Sequence, residues 1–558
     1  MDISVPITLG VIGHLDARLT PAHRRAFGQL LDQLHRHYPH CPLSLFSQLA
    51  PGADSEVAGW FLAHGEARRR DHRLVAPLPL PPEEYTEGFG TEDLARFRDL
   101  RGRAARSFVL RAPEGTSTNL RYRRGGQFVA DSSLILLAFW DGTTNHKVGG
   151  TGETIYYLRR GSFPGEIADT LFDPRRNLLV FGVERAKVTT PQHPPPVPGP
   201  EALKELLDAA PSLATTLHKL EEINREFSRP LPLRPRPPYP FPFEGIATAH
   251  PPPSGARRIF KWFEALDTRA IFAQRHYRKV LISLFLLGLL LFAFFEWYKQ
   301  FGLQQHIIAG VLIIVGLLLL LPNFSGLWKS HLRYIESRVL AEALRVQLFW
   351  HLAGIRRSVD GFIVRIHRAE FDWVQYVLRA VYGLSYPTRD PEENSVRDTY
   401  APIDATWLQD QATYFARSLK RIERRGRQFR RATFIFLVLA VALFAFIVYL
   451  SQTATAEVII QRVVVLATIL FGSAALLKAY YDKVGYAEIE KQYLAMQDLY
   501  RTAAQRYREI LDDGSLDDTQ RGEQLRHLLY LAGREALLES GNWYLVFKDK
   551  EPEIEGFG

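Results

Sequence analysis

Residues Val280–Pro322 read VLISLFLLGLLLFAFFEWYKQFGLQQHIIAGVLIIVGLLLLLP. About sixteen apolar residues (Val280–Phe295) meet a short loop, and about fifteen more follow (Ile307–Leu321). With flanking Trp297, Tyr298 and Trp328, each run can cross a hydrocarbon core of ~30 Å at ~1.5 Å per residue. The loop EWYKQFGLQQH is too short to fold alone, so the stretch reads as a transmembrane hairpin. A second hairpin reads at Ala432–Leu450 and Val458–Leu477, which makes four expected spans. Buried hairpins of a soluble core would instead carry polar positions at every turn.

The 558 residues carry a net charge of +9, and its placement follows the apolar runs. Arg257, Arg258, Lys261, Arg269, Arg275, Arg278 and Lys279 precede the first run, while Lys329, Arg333, Arg338 and Arg345 follow the second. Arg417, Lys420, Arg421, Arg424, Arg425, Arg427, Arg430 and Arg431 precede the third. The hairpin loops hold only Lys299 between them. The positive-inside rule puts both termini and the central segment in the cytoplasm, with the basic residues near anionic lipid heads and no call for nucleic acid. The start, MDISVPITLGVIGH, has neither a charged n-region nor a small-residue cleavage site, so no signal peptide is expected. The single cysteine, Cys41, fits a reducing compartment. It stands near His35, His37 and His40, where zinc is weighed against a solvated turn at a helix end.

Ahead of the membrane half, short apolar strands alternate with helices. Strands read at Ile7–Ile12, Leu43–Leu49, Leu74–Leu78, Ser107–Arg111, Leu134–Trp140 and Asn177–Val183. Helices read at Pro21–Tyr38 and from Asp54 through Glu66, with an acidic, aromatic segment over Glu83–Leu100. Glycines just beyond strand ends point to an open parallel α/β sheet, whose ligands bind beyond the carboxyl ends of the strands. That rim gathers Gly13 and His14, then Gly52, Ala53 and Asp54, then Asp141 and Gly142 after Trp140, and finally Gly149, Gly150, Thr151, Gly152, Glu153 and Thr154. The last group, GGTGET, opens the helix IYYLRRG. There glycines let backbone approach an anion and first-turn N–H groups favour phosphate, although an ordinary βα turn uses glycine too. Asp54 and Asp141 read either as helix or loop caps or as ligand contacts.

The segments LGVIGH, LAPGAD, LPLPPEEYTEGF, LLAFWDG and GGTGET, in this order and spacing, resemble the SLOG superfamily, the Rossmann-like fold of LOG and DprA proteins. The similarity covers roughly the first third of the chain, with WDG and GGT its most specific part. It implies a nucleotide or nucleotide-derived ligand on the rim loops. LOG hydrolases carry Pro-Gly-Gly-x-Gly-Thr-x-x-Glu, ending in a catalytic glutamate. Here Glu153 stands at the threonine position and Tyr156 at the glutamate position, so a sensor is expected over a phosphoribohydrolase.

Proline dominates 191–242, around a helix from Glu201 to Phe227, and reads as a tether or a semi-rigid lever. Long amphipathic helices read at Leu327–Ile355 and Tyr481–Ile510, so the membrane half looks duplicated. This organisation, with WLQDQATYF (Trp407–Phe415) and QYLAMQDLY, resembles the SLATT domains, two-span effector modules found beside SLOG domains. Gln461 and Arg462, at the outer end of the fourth span, read as snorkelling or as lining a pore. No HExxH, Walker A or GxSxG motif is present.

The expected architecture is an α/β domain with an open parallel Rossmann-like sheet plus an all-α polytopic membrane domain with four transmembrane helices in two hairpins. The expected boundaries are 1–187 for the nucleotide-sensing domain, 188–256 for the proline-rich linker, and 257–400 and 401–558 for the two hairpin modules. The expected function is that of a bacterial anti-phage effector in the inner membrane. It would sense a nucleotide second messenger made by a partner synthase and oligomerise to open a pore or disrupt the bilayer. It needs no further cofactor. The alternatives are a membrane-anchored nucleotide hydrolase or glycosidase using Glu153 and Asp141, and a non-signalling membrane scaffold.

Overall fold

A computed structural model describes residues 3–143, 147–167, 177–188, 192–228, 254–298, 303–362, 368–388, 396–452 and 457–548. Side chains are described for these except 297–298, 303–309, 311–312, 317–328, 368–371 and 398. Part of the loop after Trp140, the proline run RPLPLRPRPPYPFPF, part of each hairpin loop (299–302 and 453–456), most of the second apolar run's side chains and the last residues therefore lie outside the described residues.

The elements run β1 (Ile7–Gly13), β2 (Ala17–Arg18), α1 (Pro21–His37), β3 (Leu43–Phe46), α2 (Ala53–Arg68), β4 (His72–Leu78), α3 (Pro82–Tyr85) and α4 (Thr91–Arg103). Then come β5 (Arg106–Val109), α5 (Thr118–Ser132), β6 (Ile135–Trp140), α6 (Thr151–Arg160), β7 (Leu178–Gly182), β8 (Glu184–Arg185), α7 (Ala202–Ala209) and α8 (Pro211–Phe227). Six strands form one parallel sheet in the order β5-β4-β3-β1-β6-β7, with Leu9 opposite both Leu45 and Ile135. The central strands, ITLGVIG and ILLAFW, are apolar on both faces because helices cover both faces of a parallel sheet. Strand order reverses between β1 and β6, and a crevice opens beyond the carboxyl ends of strands at such a point. At Gly10 a Cβ would stand 2.2 Å from Ser133 Oγ, so β1 needs glycine where the α5–β6 turn presses on it.

The rest of the chain runs α9 (Ser254–Tyr298), α10 (Leu303–Leu352), α11 (Arg368–Ser385), α12 (Val396–Ile403), α13 (Asp410–Ser451), α14 (Glu457–Val484), α15 (Tyr486–Asp512) and α16 (Asp518–Lys548). The chain divides into two compact units that cut across the sequence boundaries at 187, 256 and 400. The first holds Met1–Leu233, Pro253–Lys261 and Arg356–Asp390. In it, α11 returns to the sheet domain: the Tyr376 hydroxyl donates to Pro6 O at 2.7 Å and accepts the Thr8 N–H at 2.8 Å. Arg106 Nη1 donates to Leu384 O at 2.7 Å, and Phe108 stacks on Tyr386. The stretch after β8 is packed too. Asn224 of α8 exchanges both amide bonds with Val5 at 2.8 Å, and two helices stand where one was expected.

The second unit holds Arg234–Pro252, Trp262–Ile355 and Pro391–Gly558 and is helical wherever it is described, apart from short turns. Among the described residues, three helical stretches are long and apolar enough to cross a membrane: Ser254–Glu296, Thr399–Ser451 and Glu457–Asp512. Their apolar windows are almost wholly uncovered, with Phe434 67% and Val448 61% exposed, as a lipid-facing surface requires. Backbone through the second apolar run is helical as part of α10. A Cβ on Gly316 would meet Leu291, and one on Gly472 would meet Phe292, so small residues set close approach to α9. The helix expected over Tyr481–Ile510 is broken at Gly485, which takes φ +71 between α14 and α15. Away from the apolar windows the core is aromatic: Phe349 stacks on Trp407 at 4.8 Å, and Trp350 Nε1 donates to Leu529 O.

Candidate functional site

The carboxyl ends of β1 and β6 meet at the reversal of strand order. His14, just past β1, points Nε2 at Asp141 Oδ1, just past β6, at 3.0 Å. The same oxygen accepts the Thr143 N–H at 3.0 Å and its hydroxyl at 2.7 Å, an Asx turn that fixes the loop after the strand. Arg185 of β8 reaches toward Asp141 Oδ2 at 3.8 Å and donates from Nε to Asp16 Oδ1 at 3.0 Å. Burial pulls the His14 pKa down and outweighs the pull of Asp141 in the other direction. At Asp141 burial pushes up, but the Thr143 bonds and His14 together hold the carboxyl below its usual range. At Asp16 burial is likewise outweighed, by Arg185 and the Lys187 N–H. The rim therefore presents a neutral imidazole, two carboxylates and one arginine.

The loop from β3 to α2 enters the same crevice. Gly52 takes φ +80, and a Cβ there would stand 2.6 Å from His14 O. A Cβ on Gly13 would stand 2.3 Å from Ala53 Cβ, so the two backbones meet only because these residues are small. Just before the turn, Leu49 holds φ +59, uncommon for a branched side chain, with its N–H on Ser47 Oγ. Asp54, in the first turn of α2, is buried against the Gly13 N–H, and burial pushes its pKa up to about 8. Its Oδ1 and the buried Tyr85 hydroxyl have no hydrogen-bond partner, a costly arrangement that a ligand or water can relieve.

GGTGET packs on α5. Gly149 takes φ +77, and a Cβ would meet Asn119 O and Tyr122 Cβ at 2.8 Å. The Gly150 N–H closes a turn onto Lys147 O at 2.8 Å, and Gly150 then caps α6 with no side-chain cap bond. That leaves the α6 terminus, with Thr151 at its first position, suited to an anion. Glu153 is buried and has both oxygens engaged: Oε1 lies 2.6 Å from Arg123 Nη2, and Oε2 accepts the Gly149 N–H at 2.6 Å. Arg123 also pairs with Glu166 at 2.9 Å and lies over the Phe163 ring. Thr154 packs against Gly126 and bonds back to Gly150 O.

The structure thus brings Gly13, His14, Gly52, Ala53, Asp54 and Asp141 into direct contact, and it ties Gly149, Gly150, Glu153 and Thr154 to α5 as a second cluster. Gly142 takes φ +88, and a Cβ there would touch Pro195; one on Gly182 would strike the Pro195 backbone. Pro195 therefore lies across the ends of β6 and β7. Sequence reading missed Asp16, Tyr85, Arg123 and Arg185, because an arginine on a polar helix face or a two-residue strand carries no signal of its partner. Gln461 and Arg462 are exposed in the second turn of α14.

The histidines divide differently from the sequence grouping. Cys41 is buried against Asn224 Nδ2 at 3.2 Å, burial pushing its thiol up to about 12, and His40 pairs with Glu221. His35 instead faces His72, Nε2 to Nε2 at 2.9 Å, with His64 beside them, and ligand atoms of all three lie within 4.8 Å of one another. Among the described residues, those three are the group placed to hold a metal ion, by displacing the shared proton between His35 and His72. Comparisons with protein-family models and with curated protein sequences find no match for this chain.

Proposed function

We propose that this chain is a bacterial membrane effector whose SLOG-like unit binds a nucleotide-derived messenger on the sheet rim and whose SLATT-like helices respond in the bilayer. The observation that carries the reading is the crevice at the β1–β6 reversal. It holds His14, Asp141 and the close-packed Gly13 and Gly52 turns, while the start of α6, in the second cluster on α5, offers first-turn N–H groups to an anion. Glu153 has both oxygens committed to Arg123 and Gly149, which favours binding over turnover. On this reading the second apolar run joins the three apolar helices as a fourth span. Two antiparallel hairpins then cross the inner membrane, with both termini and the basic segments that flank the spans inside. Four spans make a poor channel alone, so subunits assemble, and Gln461 with Arg462 face the outer mouth. To move from ~1% to ~99% active, the active state must bind messenger ~10⁴-fold tighter, a demand several subunits share.

The test is binding of a panel of cyclic di- and trinucleotides and ADP-ribose derivatives to the full chain in nanodiscs. Gly150→Asp puts a carboxylate where phosphate would sit; its backbone angles are ordinary, but its Cβ would stand 2.9 Å from Lys147 O and shift that turn, so the thermal midpoint of the variant is measured beside binding. Micromolar or tighter binding lost in that variant supports the reading. Uniform failure of the panel sinks it.

A further inference from the structure

His72 is the first residue of β4, and His35 and His64 lie near the ends of α1 and α2. All three therefore stand at the amino ends of the strands, opposite the rim. Their ring centres are 5.2 Å (His35 to His72), 5.4 Å (His64 to His72) and 6.3 Å (His35 to His64) apart. Imidazoles that share one metal ion at Zn–N bonds of ~2.0–2.1 Å hold their ring centres roughly 5–6 Å apart, so small side-chain rotations complete the set. Space is kept for it: a Cβ on Gly65, inside α2, would stand 2.7 Å from the His72 ring. Glycine in a helix interior costs stability, and here it seats a histidine.

The rings are also oriented from behind, as metal-binding imidazoles are. His72 Nδ1 donates to Phe61 O at 2.7 Å, which leaves a lone pair on the Nε2 that faces His35. His64 Nε2 donates to Asp32 Oδ1 at 3.2 Å, and its Nδ1 is buried with no hydrogen-bond partner. A histidine that only filled space would not strand that nitrogen. Burial brings the His35 pKa down to about 4 and lowers that of His72, so both rings are neutral near pH 7, the form that binds metal. Asp32 and Asp71 offset the repulsion that Arg70 exerts on a cation here. All three histidines are half-buried, so solvent reaches them. We infer that His35, His64 and His72 bind one zinc ion, with water as its fourth ligand.

On binding, the proton on His35 Nε2 leaves to solvent and one returns at Nδ1, so the ring stays neutral and its lone pair turns to the ion. The 2.9 Å gap to His72 then opens to the ~3.3 Å that tetrahedral Zn–N bonds require. Zinc held this way ties α1, α2 and β4 together at the amino end of the sheet and stabilises the first unit by mass action. The rim takes no part, so this inference stands or falls apart from the proposed function.

The experiment strips the full chain in detergent of metal, then titrates zinc against a chromophoric chelator and, separately, cobalt for its visible spectrum. The inference predicts one zinc per chain at micromolar or tighter affinity and the intense cobalt absorption of a four-coordinate site. Asp32→Asn, which keeps all three ligands, weakens zinc roughly tenfold, while His35→Gln and His64→Gln each weaken it at least roughly a hundredfold. His37→Gln leaves binding unchanged. Zinc at a hundredfold excess over its dissociation constant raises the parent's unfolding midpoint by about 5 °C or more and leaves the two ligand variants where they were. Zinc binding weaker than about 100 μM in the parent overturns the inference, as does equal affinity in His35→Gln or His64→Gln. If those two variants fail to fold, Asp32→Asn and the cobalt spectrum decide: unweakened zinc or a six-coordinate spectrum overturns it, and weakened zinc with a four-coordinate spectrum upholds it.

Discussion

His14 Nε2 stands 3.0 Å from Asp141 Oδ1, and this contact joins the two strands between which the sheet reverses order. Burial lowers the imidazole pKa and the Thr143 bonds help to hold the carboxyl below its usual range, so a neutral ring lies against an ionised carboxylate, with His14 Nε2 left without a well-aligned hydrogen bond.

Acid should weaken the first unit through its histidines. Burial lowers His14 and His72, and it brings His35 down to about 4. The unfolded chain takes up protons near ~6.5 while the folded chain does not, so stability is complete above that pH and falls as pH drops toward the folded values. Thermal unfolding followed from pH 7 to pH 5 should show the loss, and His35→Gln should reduce its slope. An unchanged slope in that variant would place the acid sensitivity elsewhere.

Asp54 carries the opposite sign. With its folded pKa raised to about 8, the folded state holds a proton that the unfolded state releases near ~3.9, so its contribution falls as pH rises between those values. Asp54→Asn should raise stability by about 1–3 kcal/mol at pH 8, flatten the pH dependence above pH 5, and weaken rim binding. Denaturant midpoints at pH 5 and pH 8 check both.

Glu153→Gln should leave any turnover of nucleotide unaffected and cost about 3 kcal/mol of stability, because it strands part of Arg123 in a buried site. Urea unfolding measures the cost. Full stability together with lost turnover would make Glu153 a reacting group instead.

Membrane orientation can be read with thiols, since Cys41 is buried and stays unlabelled. An impermeant maleimide should label T455C on intact spheroplasts and S515C only after lysis. The reverse pattern would invert the topology.

The sheet was legible because continuous apolar strands such as ILLAFW have no other home, and the rim glycines followed from the strand ends. The return of α11 was not. RAEFDWVQYVLRAVYGLS shows an apolar face, but nothing in it says that Tyr376 will bond Pro6, 370 positions earlier. The same holds for Glu153, which reads as a rim carboxylate until Arg123 is placed beside it, and for His35, whose partners lie on α2 and β4 and not in its own sequence neighbourhood.

The most direct test of the account is ion flux from proteoliposomes carrying the full chain, measured while the nucleotide panel is added. The account predicts flux with at least one messenger, absent without it and absent for Gly150→Asp. Flux that is the same with and without every nucleotide, or the same in Gly150→Asp as in the parent, would contradict it.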